Sequence, residues 1–345
     1  MPTTQRPTLR LGAGLLAAGL MLSACGSDID EDDNGTASDP GVSVPEGPWE
    51  FTDGSGEVVR LDETPTRIIA HAGEAAALMS YGITPVGIYA DESVETDPNL
   101  QGLDLSGIEI LGEEWGSIDV AQASTLDPDL IVADWWPAEK AHSGLEEGVK
   151  ASSKKLADLA PVVGASQGDS VLELAEGYEA LAESLGADVE DPELSADKTR
   201  FEEARDAFQE VVEAKPGLTA LAISPTDDLL YVANPEHAPE LLDFQRWGLD
   251  VIAPDSPDPG FPYWENLSWE NADKYQPDVL LLDSRTFEDS LATGREQPTW
   301  DTIKAAEAGQ VISWPAFWLH TYGHYADALE RLTADLEGID ENVGD

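Results

Sequence analysis

One pattern occurs twice in the chain. Pro128-Asp129-Leu130-Ile131-Val132-Ala133-Asp134 and Pro277-Asp278-Val279-Leu280-Leu281-Leu282-Asp283 both read Pro-Asp, four apolar residues, Asp. A short unbroken apolar run between polar residues suits a parallel strand buried on both faces. Upstream of each lies a helical pattern ending in an aromatic residue, Gly and an aliphatic residue: Tyr81-Gly82-Ile83 and Trp247-Gly248-Leu249. Glycine at that position marks a helix stop. Order and chemistry match while the spacings differ, which predicts two α/β lobes of similar build.

The flanking segments extend this pattern. Arg67–Ala70, Pro85–Tyr89 and Pro161–Val163 read as strands, and Glu74–Tyr81 and residues 143–158 as helices. Strands alternating with helices predict a parallel sheet covered by helices. Residues 169–215 have no strand character. Leu174, Tyr178 and Leu181 lie on one face of a helix over Ser170–Leu185, and Phe201, Ala204, Phe208 and Val212 on one face of another over Asp197–Lys215. The expected architecture is α/β: two Rossmann-like lobes, each with a mostly parallel sheet, joined by a rigid helical connector. The boundaries are an N-terminal lobe at 48–168, the connector at 169–215 and a C-terminal lobe at 216–345. A length of 345 residues allows this division.

The first 24 residues carry no acid; Arg6 and Arg10 precede an apolar run from Leu11 to Leu22, too short for a good membrane span. This reads as a signal peptide over 1–24. It ends Leu22-Ser23-Ala24-Cys25-Gly26, which resembles the lipobox of bacterial lipoproteins, with Cys25 as the lipidated residue. Cys25 is also the only cysteine, so the chain forms neither an internal disulfide nor a cysteine-rich zinc site. Residues 25–47 are acidic and rich in small residues and read as a flexible tether. The expected location is extracytoplasmic, anchored to the outer face of the cell membrane by the N-terminal lipid. The formal net charge of -51 argues against nucleic acid and against a basic membrane-binding face. A hydrophobic content of 41% with ten Trp argues against disorder.

Several pieces, in this order, carry a family resemblance: Pro65-Thr66-Arg67-Ile68-Ile69; Gly82 through Ile88; Leu126 through Ile131; Leu267-Ser268-Trp269-Glu270; Pro277-Asp278-Val279; and Trp300 through Val311. Over roughly residues 50–338 the chain resembles the helical-backbone class of substrate-binding proteins of ABC importers, the ferric-siderophore and cobalamin receptors. The resemblance implies a two-lobed monomeric receptor that holds its ligand between the lobes. It then delivers the ligand to a membrane permease driven by a cytoplasmic ATPase. It also implies docking through one acid on each lobe, paired with permease arginines. Glu270 is that acid in the C lobe. In the N lobe the expected position, seven residues before Pro128, is Ala121, and Asp119 two residues earlier offers the substitute.

Ligands of open α/β sheets sit beyond the carboxyl ends of the strands. Residues there are His71, then Trp135, Trp136 and Lys140 in the N lobe. In the C lobe they are Tyr231, Tyr263, Trp264, Arg285, Trp314 and Trp318. Aromatic rings in loops suit a flat or greasy chelate, and a guanidinium suits an anionic one. A ferric siderophore carries its iron already wrapped in hard oxygen donors, so the expectation is no cofactor and no protein metal site. His320 and His324 are four apart, but Gly323 lies between them and no third His is close in sequence. Cobalamin and haem remain alternative cargoes, and a surface adhesin without cargo is a further rival. A more distant reading is a serine hydrolase built on Gly164-Ala165-Ser166-Gln167-Gly168.

Overall fold

The two Pro-Asp runs fold alike. Asp129 Oδ1 accepts from the backbone N–H of Arg67 at 2.8 Å, and its Oδ2 from that of Thr66 at 2.9 Å. Asp278 Oδ2 accepts from the backbone N–H and the hydroxyl of Thr219, both at 2.9 Å. Each aspartate stands at the head of one strand and satisfies donors at the head of the parallel strand beside it. That explains the acid in the motif, because unpaired N–H groups there are costly.

The computed structural model describes residues 42–316 and 319–344, which belong to one compact unit, Ser38–Asp345. The signal peptide, Cys25, the tether as far as residue 41, Phe317 and Trp318 lie outside the described residues. The N lobe opens with an antiparallel hairpin, β1 (Trp49–Thr52) and β2 (Val58–Leu61). There follow β3 (Ile68–His71), α1 (Ala72–Ser80), β4 (Gly87–Ala90), β5 (Glu109–Glu113), α2 (Val120–Thr125) and β6 (Leu130–Val132). A short hairpin, β7 (Trp135–Trp136) and β8 (Ala141–His142), precedes β9 (Val162–Val163). The N-lobe sheet has the order β5-β4-β3-β6-β9 and is parallel throughout.

Two helices connect the lobes, α3 (Val171–Ser184) and α4 (Pro192–Ala214). The C lobe contains β10 (Thr219–Pro225), β11 (Leu229–Ala233), α5 (Pro239–Arg246), β12 (Asp250–Val251), β13 (Trp264–Ser268), β14 (Val279–Asp283), α6 (Phe287–Glu296), α7 (Lys304–Glu307), β15 (Val311–Trp314) and α8 (Tyr322–Glu337). Its sheet is mixed. β10 pairs in parallel with β12 and β14, and β14 with β15, while β11 and β13 add antiparallel strands at the other edge. A tight turn makes the reversal: Thr226 bonds Leu229 through both its backbone and its hydroxyl.

Both sheets are covered on two faces. Ile68, Ala70, Leu130 and Val132 pack against Leu78 of α1 and Tyr178 of α3, while Ile69 and Ile131 pack on the opposite face with Tyr89 and Ala123. Val279 and Leu281 meet Phe208, Phe244 and Tyr325, and Leu280 and Leu282 meet Leu267 and Trp300. Each fully buried ring or aliphatic chain stabilises by roughly 1.5–3 kcal/mol, which sets α4 firmly on the C lobe. Lys215, just past α4, bonds the carbonyls of Leu336, Glu337 and Ile339 at 2.6–2.8 Å and so closes the end of α8.

Residues 143–158 do not form the expected helix. Gly144 and Gly148 both take positive φ, at 78° and 99°, which interrupts a right-handed helix, and only Ser153–Asp158 coils, as a 3-10 turn. A side chain at Gly144 would lie 2.8 Å from the Tyr89 ring, so the loop packs where a helix could not.

Candidate ligand cleft between the lobes

The site is built from the ends of strands. β3 delivers His71, which also stands at the N-cap of α1, and Glu74 follows in the first turn of that helix. His71 Nδ1 lies 2.9 Å from Glu74 Oε2, and its Nε2 lies 3.5 Å from Asp91 Oδ2, just beyond β4. Burial pulls the imidazole pKa down, but Glu74 and Asp91 more than offset it and leave it well above its ordinary value. The same ring tilts against Tyr89 with centroids 5.2 Å apart.

Behind this surface lies a buried hub. Asp134, at the end of the first Pro-Asp run, accepts from Gln167 Nε2 and lies 2.8 Å from His320 Nε2; its second oxygen accepts from the Tyr178 hydroxyl. Its backbone N–H donates to Glu74 Oε1 at 2.6 Å. Burial raises the Asp134 carboxyl pKa, but His320, Tyr178 and Gln167 together hold it below the usual range. Glu74, Asp134 and His320 bring ligand-type atoms within 4.8 Å of one another. Both carboxylates and His320 Nε2 already have protein partners, so the cluster acts as a fastening between lobes. His320 comes from the segment after β15, and its ring lies directly over Gly73, where a Cβ would stand 2.4 Å from it.

A second contact crosses the cleft nearer the surface. The Tyr263 hydroxyl donates to Glu139 Oε2 at 2.9 Å, and the Tyr263 and Trp136 rings lie 6.4 Å apart, edge to face. Arg285, beyond β14, acts electrostatically on Asp91 and Glu92 of the opposite lobe. Its guanidinium is turned back on Asp283: Nε is 3.1 Å from both carboxylate oxygens, and Nη2 is 2.6 Å from one.

A family model described as periplasmic binding protein matches residues 58–316. The chain belongs to the periplasmic binding protein family. Among solved structures, this periplasmic binding protein is similar to DesE, a ferric-siderophore receptor protein from Streptomyces coelicolor, with 31% identity and a TM-score of 0.75, covering 85% of this chain and 99% of the other. It also shares its fold with SirA of Staphylococcus aureus, complexed with staphyloferrin B, at 19% identity and a TM-score of 0.57, over 84% of this chain and 99% of the other. FhuD2 of the same organism, with bound ferrioxamine B, shows the same fold at 19% identity and a TM-score of 0.54, over 79% of this chain and 98% of the other. No curated protein sequence matches significantly.

The structure sorts the residues expected to touch ligand. In this periplasmic binding protein His71, Trp136, Tyr263 and Arg285 come together around the cleft, as described above. Trp135 is half-buried, edge-on to His142 at 5.1 Å, and the indole N–H of Trp136 donates to Ser143 Oγ at 2.9 Å. Lys140 is exposed at the tip of the β7–β8 hairpin, where it takes a φ of 53°. Tyr231 and Trp264 are half-buried neighbours on adjoining strands, 6.3 Å apart. Trp314 departs from the expectation. It is 1% exposed and belongs to the C-lobe core, because the β15 register turns it inward beside Ala316 and Leu319. Trp318 lies outside the described residues.

Asp119 and Glu270 are both exposed, the first as the N-cap of α2, accepting from the Gln122 N–H at 2.9 Å. Ala121 is exposed in the first turn of the same helix. Ser166 does not occupy a strand-to-helix elbow: it pairs alongside Trp135, and α3 starts only at Val171, capped by Ser170. His324 sits in the first turn of α8, whose N-cap hydroxyl, Thr321 Oγ1, accepts from its backbone N–H.

Sequence reasoning missed Asp91, Glu139, Glu146 and Trp115. Asp91 lies two residues past the strand predicted over Pro85–Tyr89, which the structure extends to Ala90, so the strand-end rule reaches it. Trp115 follows β5, whose Glu109-Ile110-Leu111-Gly112-Glu113 has too few apolar residues to read as a strand. It is 48% exposed, and its backbone N–H donates to the Asp91 carbonyl at 3.1 Å, which sets it on the rim beside that acid.

Proposed function

We propose that this periplasmic binding protein captures an iron(III)-siderophore complex in the cleft between its lobes and delivers it to an ABC permease. The observation that carries the reading is the 31% identity to a ferric-siderophore receptor over nearly the whole of that chain. The cleft chemistry supports it. Rings and polar groups surround the opening, and a chelate that brings its own oxygen ligands asks only for a shaped, partly apolar surface. The chelated iron is cargo, and the protein needs no cofactor of its own.

Contacts from both lobes favour the closed arrangement when ligand is bound. The permease, with its cytoplasmic ATPase, reads that arrangement through Glu270 and Asp119. The protein works outside the cytoplasm as a monomer, held to the outer face of the membrane by a lipid on Cys25. It has no role with nucleic acid and no enzymatic activity.

Tryptophan-fluorescence titration tests the reading. The panel holds ferric hydroxamates, ferric catecholates, ferric citrate, cobalamin and haem, with each metal-free chelator as control. Saturable binding of one ferric class, confirmed by calorimetry, is the expected result. Binding of cobalamin or haem alone would replace the cargo, and no binding at all would remove the capture role.

A further inference from the structure

The β7–β8 hairpin is fixed at its base and reaches the C lobe with its tip. At the base, the Trp135 N–H donates to the Ala165 carbonyl and the Trp135 carbonyl accepts from the Gln167 N–H, both at 2.8 Å. His142 Nε2 lies 3.0 Å from Asp53 Oδ2, just past β1, so the first hairpin of the lobe holds the second. Lys140, at a φ of 53°, closes the turn with an N–H bond to the Trp136 carbonyl at 2.8 Å. The exposed Glu139 thus stands at the tip, where it meets a hydroxyl 124 residues away in sequence, that of Tyr263.

The C-lobe partner is fixed as well. The Tyr263 carbonyl accepts from the Asn234 N–H at 2.8 Å, and Asn234 Nδ2 donates to the Pro262 carbonyl at 3.0 Å. The rings of Phe261 and His237 flank Tyr263, with centroids 5.0 and 5.4 Å away. Burial and the carboxylate of Glu139 raise the Tyr263 pKa, so the hydroxyl stays a donor. Two anchored segments lose little freedom when their tips pair, which lets one charge-assisted bond keep its strength. The floor of the cleft is joined at Asp134 and His320, and the Glu139–Tyr263 bond joins the rim on the hairpin side. Lobes held at both levels do not part on that side until the rim bond breaks.

We propose that Glu139 and Tyr263 form a clasp that holds the lobes together in the ligand-free protein, so that its opening gates both entry and release of the ligand. The gating role rests on the siderophore-capture reading, whereas the clasp itself does not. The apparent association rate of a gated site falls in proportion to the fraction of molecules that are open. Release is slowed by the same factor when the clasp closes over the bound ligand.

Hydrogen exchange on the ligand-free, full-length protein tests the clasp. Glu139→Ala removes the acceptor at an exposed position and should speed exchange about fivefold in the opposite lobe, over residues 258–264, the scale of one hydrogen bond. Tyr263→Phe, which keeps the packed ring, should do the same over residues 137–142, and the double variant should add nothing further. Stopped-flow fluorescence with a linear ferric trihydroxamate tests the gate. Each variant should raise the association and the dissociation rate together by about fivefold, so that affinity moves less than either rate. Faster dissociation alone would make these side chains ligand contacts and overturn the inference. Unchanged rates, or exchange that quickens only in the mutated lobe, overturn it as well. If neither that probe nor any other ferric chelate binds, the capture reading and the gating role fall together, while hydrogen exchange still decides the clasp.

Discussion

His320 Nε2 lies 2.8 Å from Asp134 Oδ2, and the contact joins residues 186 apart in sequence across the two lobes. Asp134 ends the first Pro-Asp strand, and His320 follows the last strand of the C-lobe sheet. Tyr178 of α3 binds the same carboxylate, and the start of α3 is tied to Asp243 of the C lobe through the Val171 N–H at 2.9 Å. Connector, N lobe and C lobe thus share one buried group.

Removing that group should be costly. Asp134→Ala leaves His320, Gln167 and Tyr178 buried without their acceptor, and loss of one member of a buried charged network costs about 3–5 kcal/mol. Urea unfolding should show the midpoint fall accordingly. A change smaller than about 1 kcal/mol would mean that the hub is not a fastening.

Gly73 is held small by the ring above it. Gly73→Ala would put a methyl group 2.4 Å from His320 Cε1. Both sides are packed, so the ring must leave, at a cost of about 1–3 kcal/mol for overpacking. Thermal melting measures it, and Ala should lower the midpoint although alanine ordinarily favours a helix.

The His71 and Asp134 shifts act at opposite ends of the pH scale. The folded-state pKa of His71 is raised, so its contribution is fully present below about pH 6.5 and is lost as pH rises through the folded value. That of Asp134 is lowered, so its contribution is present above about pH 4 and is lost as pH falls through the folded value. Melting curves of the protein and of His71→Gln should therefore converge as pH is raised above neutrality. A constant gap would sink the assignment to His71.

Docking and binding should separate. Glu270 and Asp119 are exposed and away from the hub, so Glu270→Ala and Asp119→Ala should leave ligand affinity unchanged, although Asp119→Ala, which removes the N-cap of α2, should lower stability by about 1 kcal/mol. Uptake of radiolabelled ferric chelate by cells should drop in each and most in the double variant. Weakened binding by either purified variant would contradict this division of roles.

Much of the fold was readable because its signals are local. Leu130-Ile131-Val132 and Val279 through Leu282 are apolar at every position because both faces of each strand are covered, and Gly82 and Gly248 stop their helices at φ of 76° and 106°. Segments with weak local signals are not legible in this way: residues 143–158 have a helical composition that two left-handed glycines interrupt, and β5 is short and only partly apolar. In the cleft, Trp136 and Trp314 offer the same chemistry after a strand, yet one stands beside Tyr263 across the cleft and the other is in the core.

The sequence by itself determined two α/β lobes, their helical connection and the strand ends at which a site could form, because periodicity and helix stops act over a few residues. Only the tertiary structure decided that His320 closes on Asp134, that Arg285 spends its charge on Asp283, and that Tyr263 reaches across to Glu139. Those outcomes depend on which groups from distant segments meet in a low-dielectric interior, and a buried charge is settled by its neighbours in space.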